Sequence, residues 1–444
     1  MEEIRAGVQA VRTDRLTVKS LMRLWLLLVL TVCLLLPAPA KAKPYDYPFD
    51  NAYAATIIGT PADLKAELPK KIREKELKLA LPEGKQIRKL FWYEKAFRYS
   101  LAYQKEKAPL IFVVAGTGAG FKSPKMQILK RAFFQAGFHV VSLASPTIEN
   151  FIVTASSTGM PGSLEDDSAD LYRVMAHIWD DIQKRVEVSE FFLTGYSLGG
   201  AQAAFISKLD DEQQLFNFRK VLMINPPLSL YSSVRILDAM LQDNIPGGPG
   251  NFSDFFDRLM AKFSEVYQES DDVAFNAEFL YRVYEKNQPS DADMKALIGT
   301  AFRISAGNMI FTADAVNNAG YILPKDLKLS STDSTTDYAK VAFRTTFVEY
   351  FDELFLPFFQ SREPGLTRQE LIDRQSLASI EPYLVKAKKI GMFHNADDVI
   401  MAPGELQYLI RILGPRATIY PTGGHCGNMD YRENVADMID FFLQ

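Results

Sequence analysis

Short apolar runs alternate with segments of helical periodicity along much of the chain. The runs are residues 110–115, 139–143, 191–194 and 221–224. Between them, residues 125–135 and 167–185 place apolar side chains at helical spacing. Continuous apolar runs are typical of parallel strands buried on both faces of a sheet. The alternation therefore predicts an α/β fold with a mostly parallel, doubly wound sheet and right-handed crossovers.

The pattern changes on both sides of this region. Before it, residues 90–93 and 97–103 are predicted as strands, and the charge pairing of residues 70–78 predicts a helix. After Asn225-Pro226-Pro227 the alternation stops, and helical periodicity with many aromatic residues predicts a large helical insertion. The sheet pattern then resumes with strands at 389–393 and 417–420 and helices at 403–412 and 431–442.

The N-terminus has the pattern of a secretory signal. Residues 24–36 are an almost unbroken apolar run that follows Lys19 and Arg23, and the small residues after Pro37 offer cleavage sites behind Ala42 or Ala40. The run is too short to span a bilayer comfortably, so no stable membrane span is expected after cleavage. We expect an exported protein, periplasmic or secreted, with translation starting at Met22.

These patterns divide the chain into five segments. They are a signal peptide at 1–42, an N-terminal lead-in at 43–86, a first core segment at 87–226, the helical insertion at 227–383 and a second core segment at 384–444.

Composition excludes several classes of function. The formal net charge of the 444 residues is −4, and nothing resembles the broad basic surface of a nucleic-acid binder. Of the two cysteines, Cys33 lies in the signal, so Cys426 alone cannot form an internal disulfide in the mature chain. The four histidines lack metal-ligand spacing, and neither a metal nor another cofactor is expected.

A serine between glycines follows one of the apolar runs. Gly195-Tyr196-Ser197-Leu198-Gly199 matches G-x-S-x-G, in which a tight strand-to-helix turn exposes the serine hydroxyl above the sheet. A strand precedes the motif and residues 201–209 form a good helix after it, so the context fits. Ser197 is therefore the candidate nucleophile.

A serine hydroxyl needs a base and a carboxylate that orients the base. His425 follows Thr422-Gly423-Gly424 just after the last strand, on the side where active sites of open α/β sheets form. His139, His177 and His394 lie within predicted strands or helices and are interpreted as structural. Cys426 adjoins His425 but has no elbow or second base, and is interpreted as a bystander.

The loop after the strand at 389–393 supplies two candidate acids, Asp397 and Asp398. Adjacent aspartates cannot both point at one imidazole. At this point the chain resembles the α/β-hydrolase superfamily over roughly 110–226 and 389–443. The acid loop of that superfamily often reads glycine-x-x-Asp, and Asn395 occupies the glycine position here. The resemblance implies that Asp398 is the acid, with Asp397 as the alternative.

The same resemblance implies an oxyanion hole and a cap. Ala115-Gly116-Thr117-Gly118 is similar to the oxyanion loop after the third strand, although Ala115 replaces the usual leading histidine. By analogy, the amides of Thr117 and Leu198 would stabilise the oxyanion. The insertion falls where these enzymes carry their cap, and the aromatic stripe at 343–359 is either cap core or the lining of an acyl-chain pocket.

The glycine loop also resembles a phosphate-binding loop. Gly116 to Ser123 is one residue short of G-x-x-x-x-G-K-S, but Phe121 stands where the second glycine must approach the phosphates. Nucleotide binding is therefore disfavoured.

The expected function is that of an exported serine hydrolase, foremost an esterase acting on a small-molecule or lipid-like acyl substrate through an acyl-enzyme. An amidase or peptidase with the same triad and a non-catalytic binding protein remain alternatives.

Overall fold

The computed structural model describes residues 45–80, 87–255, 258 and 289–444. The predicted signal peptide, its cleavage sites and the start at Met22 lie outside the described residues and stay predictions. The helices and strands of the described residues all lie within one compact unit, Tyr47–Gln444.

An eight-stranded sheet organises the described residues. Its strands follow the spatial order β1-β2-β4-β3-β5-β6-β7-β8. Strand β2 is antiparallel to both of its neighbours, and every pair from β4 across to β8 is parallel. The predicted fold class, an α/β-hydrolase fold with a mostly parallel sheet, is confirmed. The strands are β1 Glu74–Leu79, β2 Phe97–Ala102, β3 Ala108–Val114, β4 His139–Leu143, β5 Val188–Tyr196, β6 Lys220–Ile224, β7 Ile390–Asn395 and β8 Ala417–Tyr420.

Helices cover the sheet and make up most of the described part of the insertion. In chain order they are α1 Ala52–Ile58, α2 Pro124–Gln135, α3 Glu149–Thr154, α4 Leu164–Ile182, α5 Leu198–Gln213, α6 Leu230–Gln242, α7 Asp291–Asn317, α8 Thr336–Arg344, α9 Phe347–Tyr350, α10 Leu356–Arg362, α11 Arg368–Arg374, α12 Glu381–Lys386, α13 Glu405–Leu413 and α14 Arg432–Leu443. Short 3-10 turns lie at Ala62–Leu64, Lys89–Phe91, Pro249–Asn251, Leu377–Ile380 and Gly414–Arg416.

Two local predictions near the N-terminus are wrong. The charged segment 70–78 is not helical, because Glu74–Leu79 pairs with β2 as the edge strand β1. Its alternating charges suit an exposed edge, where they oppose pairing with other chains. Residues 90–93 are not a strand, because Lys89–Phe91 forms a 3-10 turn that buries Phe91. The sheet therefore reaches into the segment predicted as a lead-in, and the five segment boundaries themselves stay predictions.

The helices between β6 and β7 form a layer that we call the cap, residues 225–389. Among its described residues there are helices and turns but no strand of the sheet. Many buried apolar residues of the cap form a cluster distinct from the one around the sheet, and the aromatic stripe contributes Tyr350, Phe351 and Phe355 to it. Ile152 and Met160 from outside the cap join this cluster, whereas Leu377, Ile380 and Leu384 of the cap belong to the cluster around the sheet. Phe351–Phe355 is a π-helical turn. Pro357 follows it and has no amide hydrogen for the helical ladder, which favours such an irregular turn.

Candidate active site

The turn at Ser197 has the backbone geometry of a nucleophile elbow. Ser197 lies between β5 and α5 with φ 55° and ψ −126°, a conformation that side-chain-bearing residues rarely adopt. A Cβ on Gly195 would come within 2.2 Å of the Gly199 carbonyl oxygen, and one on Gly199 within 2.3 Å of the Val114 oxygen. Both glycines are therefore required by the close approach of strand and helix, and the strained turn exposes the serine side chain.

His425 bridges the serine and an aspartate. Its Nε2 lies 2.9 Å from Ser197 Oγ, and its Nδ1 lies 3.0 and 3.1 Å from the two carboxylate oxygens of Asp398. The elbow follows β5, the aspartate follows β7 and the histidine follows β8, so neighbouring parallel strands bring all three to one edge of the sheet. The structure thus brings together the nucleophile, base and acid candidates of the sequence analysis.

The environment of Asp398 favours its ionised form. The side chain is almost fully buried, and it accepts hydrogen bonds from Asn225 Nδ2 at 2.9 Å and from the Ile400 amide at 3.1 Å. Burial alone would raise the pKa of Asp398, but the charge and hydrogen bond of His425, the charge of His394 and the hydrogen bond from Asn225 outweigh burial and hold the pKa below its usual value. Burial likewise opposes a charge on His425, yet Asp398 raises the pKa of His425 above its usual value.

Asp397 has different partners. Its carboxylate accepts hydrogen bonds from the amides of Gly423 at 3.2 Å and Gly424 at 2.9 Å. Burial raises the pKa of Asp397, in contrast to its neighbour. Asp397 therefore fixes the backbone of the histidine loop, and Asp398 holds the imidazole itself.

Two buried asparagines, Asn395 and Asn428, also hold the backbone of the loop that carries His425. Asn395, in the position where the superfamily often has glycine, donates from Nδ2 to the Gly424 carbonyl at 2.7 Å. Asn428 Nδ2 in turn donates to Asn395 Oδ1 at 2.7 Å and to the Thr422 carbonyl at 3.3 Å. Asn395 thus makes side-chain hydrogen bonds to the histidine loop that a glycine, which has no side chain, could not make.

Helix α1 also supports the histidine, a contact that the sequence analysis missed. The His425 amide donates to Thr56 Oγ1 at 2.9 Å, and the Thr56 hydroxyl donates to the Ala52 carbonyl at 2.7 Å. The packing is close, because a Cβ on Gly424 would lie 2.2 Å from the Ala52 oxygen and one on Gly427 2.1 Å from the Ala55 oxygen. Gly424 and Gly427 therefore have no room for a side chain, because α1 lies against them.

The two candidate oxyanion donors lie beside the serine. Neither the Thr117 amide nor the Leu198 amide donates a hydrogen bond to any residue that the structure describes, and both residues line the cavity that contains Ser197. A Cβ on Gly116 would lie 3.1 Å from Ser197 Cβ, so the glycine loop reaches the elbow. The loop is fixed by Gly118, whose amide donates to Thr147 Oγ1 at 2.8 Å.

Two adjoining cavities lie between the sheet edge and the cap. One, the serine cavity, has a volume of about 330 Å³ and is lined by Ser197, His425 and Lys125 among others. The other, the aromatic cavity, has about 40 Å³ and is lined by six aromatic side chains: Tyr231, Phe302, Phe347, Tyr350, Phe351 and Phe355. Thr117 and Leu198 line both cavities. The aromatic stripe thus belongs to the cap core and also lines this space.

A buried ion pair fixes one wall of the aromatic cavity. Arg303 on α7 donates to Asp238 on α6 at 2.9 Å, and both side chains are almost completely buried. Asp238 also accepts hydrogen bonds from the amides of Phe347 at 2.8 Å and Val348 at 3.2 Å. The first turn of α9 is therefore held by a carboxylate, which suits the positive end of a helix.

The remaining chemical candidates have other surroundings. His139 contacts the Gln104 amide and the Glu187 carbonyl, and His394 contacts the Pro226 carbonyl. Cys426 Sγ lies 3.9 Å from His425 Nε2 and the thiol is buried. Within 45–80, 87–255 and 289–444, no cluster of three or more potential metal ligands occurs. In the same part of the chain no helix has the length and hydropathy needed to cross a bilayer.

Comparisons with known proteins find similarity in structure alone. No protein-family model matches the chain, and no curated protein sequence matches it. Similar solved structures include a hydrolase described as putative from Legionella pneumophila, at 11% identity and TM-score 0.41, covering 88% of this chain and 94% of that one. A proline iminopeptidase from Mycobacterium smegmatis is 11% identical with TM-score 0.40, covering 83% and 98%. Est1E from Butyrivibrio proteoclasticus is 10% identical with TM-score 0.37, covering 83% and 97%. Similarity at this level identifies neither a substrate nor a reaction.

Proposed function

We propose that this protein, which has the α/β-hydrolase fold, is a serine hydrolase that cleaves carboxylic esters through an acyl-enzyme. The observation that carries the proposal is the continuous hydrogen-bonded path from Ser197 through His425 to Asp398. A serine, an imidazole and a buried carboxylate in this order are the parts that nucleophilic acyl transfer requires.

The geometry supports a two-stage reaction. Ser197 Oγ attacks the ester carbonyl carbon while its proton passes to His425 Nε2, and Asp398 stabilises the imidazolium that forms. The amides of Thr117 and Leu198 donate to the oxyanion. The carbon–oxygen bond to the alcohol then breaks, and the alcohol oxygen takes the proton from His425. In the second stage a water molecule takes the place of the alcohol and attacks the acyl carbon while its proton passes to His425. The bond between the acyl carbon and Ser197 Oγ then breaks and Oγ takes the proton from His425, which releases the acid and free Ser197.

The two cavities suggest where the substrate halves lie. The leaving oxygen must be within reach of His425, which lines the serine cavity but not the aromatic cavity. The aromatic cavity, reached past Thr117 and Leu198, is then the place for the acyl group. A volume of about 40 Å³ gives space for roughly three water molecules or an acyl chain of about four carbons. We therefore propose short apolar acyl groups as the preferred acids.

The test is the turnover of 4-nitrophenyl esters with acyl chains of two to sixteen carbons. We expect hydrolysis by the native protein with a maximum near four carbons, and a loss of at least about 10³-fold in kcat for Ser197→Ala, because the hydroxyl is the nucleophile. Circular dichroism verifies that the variant is folded. Equal rates for the native protein and Ser197→Ala would contradict the proposed reaction, and a preference for sixteen-carbon chains would contradict the short-acyl assignment.

Export is also proposed, from the apolar run and small residues before Lys43. It implies that esters available outside the cytoplasm are the substrates.

A further inference from the structure

Lys125 is, besides the candidate base His425, the basic side chain among the described residues that line the serine cavity. Among the described residues that line this cavity, the others are apolar or neutral polar side chains, glycine and the candidate base His425. No carboxylate of the described residues lines it. The wall therefore carries the positive charge of Lys125, and no described residue places a carboxylate opposite it.

The ammonium group of Lys125 also has no partner in the part of the chain that the structure describes. No ion pair or hydrogen bond from its Nζ to a described residue is found, although the side chain is partly buried. The neighbouring lysines differ. Lys122 pairs with Glu76 and Lys130 pairs with Glu74, so strand β1 supplies a carboxylate to each of them. Among the described residues, Lys125 thus differs from both neighbouring lysines in having no carboxylate partner.

The position of Lys125 does not favour the stability of its helix. It lies in the first turn of α2, which contains no acidic residue. A cation there opposes the helix dipole, which favours negative charge at the N-terminus. A partly buried cation without a partner is also costly. An anion bound in the serine cavity would offset both the unfavourable interaction of the ammonium group with the helix dipole and the cost of partly burying its charge.

We propose that Lys125 is a specificity-determining residue that selects esters with an anionic group, a carboxylate or a phosphate, on the alcohol side of the scissile bond. The inference rests on the proposed ester hydrolysis and deepens it. Lys125 and His425 line the same cavity, whereas the aromatic cavity contains neither. Because His425 must reach the leaving oxygen, the group that contacts Lys125 belongs to the leaving alcohol and the apolar group belongs to the acyl side.

The test compares butanoyl esters that differ in one group. The leaving alcohols are 3-hydroxybenzamide, which is neutral, 3-hydroxybenzoate, and 3-hydroxyphenyl phosphate. We expect the native protein to hydrolyse at least one anionic ester with kcat/KM about tenfold above that of the neutral ester, because a charge-assisted hydrogen bond in a partly exposed site has this size. The preference should shrink as salt is added, since an ion pair at a cavity wall is partly screened. Comparing kcat/KM for the carboxylate ester with kcat/KM for the phosphate ester identifies which anion is preferred.

The variants separate Lys125 from the rest of the site. Lys125→Met should bring the ratio of kcat/KM for the anionic ester to kcat/KM for the neutral ester close to one, and Lys125→Arg should retain most of the preference. Lys122→Met is the matched control, because it removes a nearby lysine that is paired with Glu76 and does not line the cavity. The native salt dependence is a second readout if a Lys125 variant does not fold.

The outcomes are distinct. If no ester is hydrolysed by any form of the protein, the proposed function fails. If the neutral ester is hydrolysed and the native protein shows no anionic preference, or if the preference survives in Lys125→Met, the inference about Lys125 is wrong while ester hydrolysis stands. A preference for butanedioate monoesters, whose charge lies on the acyl side, over butanoate esters of the same neutral alcohol would also overturn it.

Discussion

Two adjacent aspartates of the same loop have opposite environments. Asp398 is held ionised by His425 and Asn225, whereas burial raises the pKa of Asp397, whose carboxylate faces two backbone amides. The sequence alone left this choice open, because the resemblance supplied the loop register and no local pattern shows which carboxylate turns toward the imidazole. In the structure Asp398 contacts the imidazole of His425, whereas Asp397 accepts hydrogen bonds from the backbone of the histidine loop.

A pair of isosteric substitutions tests this division. Asp398→Asn should lower kcat for ester hydrolysis by about 10³- to 10⁴-fold, because the amide cannot stabilise the imidazolium and favours the wrong tautomer. Asp397→Asn should cost at least ten times less in kcat, since it disturbs only the loop backbone. Steady-state kinetics of both variants with one ester, together with thermal melts, make the comparison. A larger loss from Asp397→Asn would mean that the acid is misassigned.

At the scale of elements, helix α1 is the feature that the sequence did not reveal. Thr56 and His425 are 369 positions apart, and nothing in the local pattern of either segment indicates the contact. Strand β1 was missed for a related reason, because its charges are typical of a surface helix and only pairing with β2 makes it a strand. By contrast, the central strands and the elbow have strong local patterns, and these were found with small errors in their ends.

Thr56 tests whether α1 positions the base. Thr56→Val keeps the shape of the side chain but removes the acceptor of the His425 amide, so we expect kcat to fall about tenfold because the imidazole is displaced. Thr56 also lines the serine cavity, where valine presents a side chain of the same shape. Thr56→Ser should restore most of kcat, because it keeps the hydroxyl that bridges Ala52 and His425. Steady-state kinetics of the three proteins decide this. A serine variant as slow as the valine variant would contradict the positioning role.

At the scale of the whole molecule, the sheet, the N-terminal helix and the cap meet at one edge. The parallel strands place the three candidate catalytic side chains, α1 supports the histidine loop, and residues of the cap line most of the aromatic cavity. Ser197 and His425 could be predicted as candidates from sequence because the G-x-S-x-G motif and the glycine loop after the last strand are local patterns, whereas only the register of the resemblance favoured Asp398 over Asp397. The substrate cavities could not be predicted, because they are formed by residues of α2, α6, α7 and the π-helical turn, whose contacts depend on how the cap packs on the sheet.

If Ser197 is an activated nucleophile, as proposed, a fluorophosphonate probe will react with its hydroxyl and label it covalently. The native protein should gain the mass of one phosphonyl group, and peptide mass spectrometry should locate that group on Ser197. Ser197→Ala should remain unlabelled under the same conditions while keeping its native circular dichroism and melting temperature. Absence of labelling in the folded native protein, or labelling that persists in Ser197→Ala, would contradict the account.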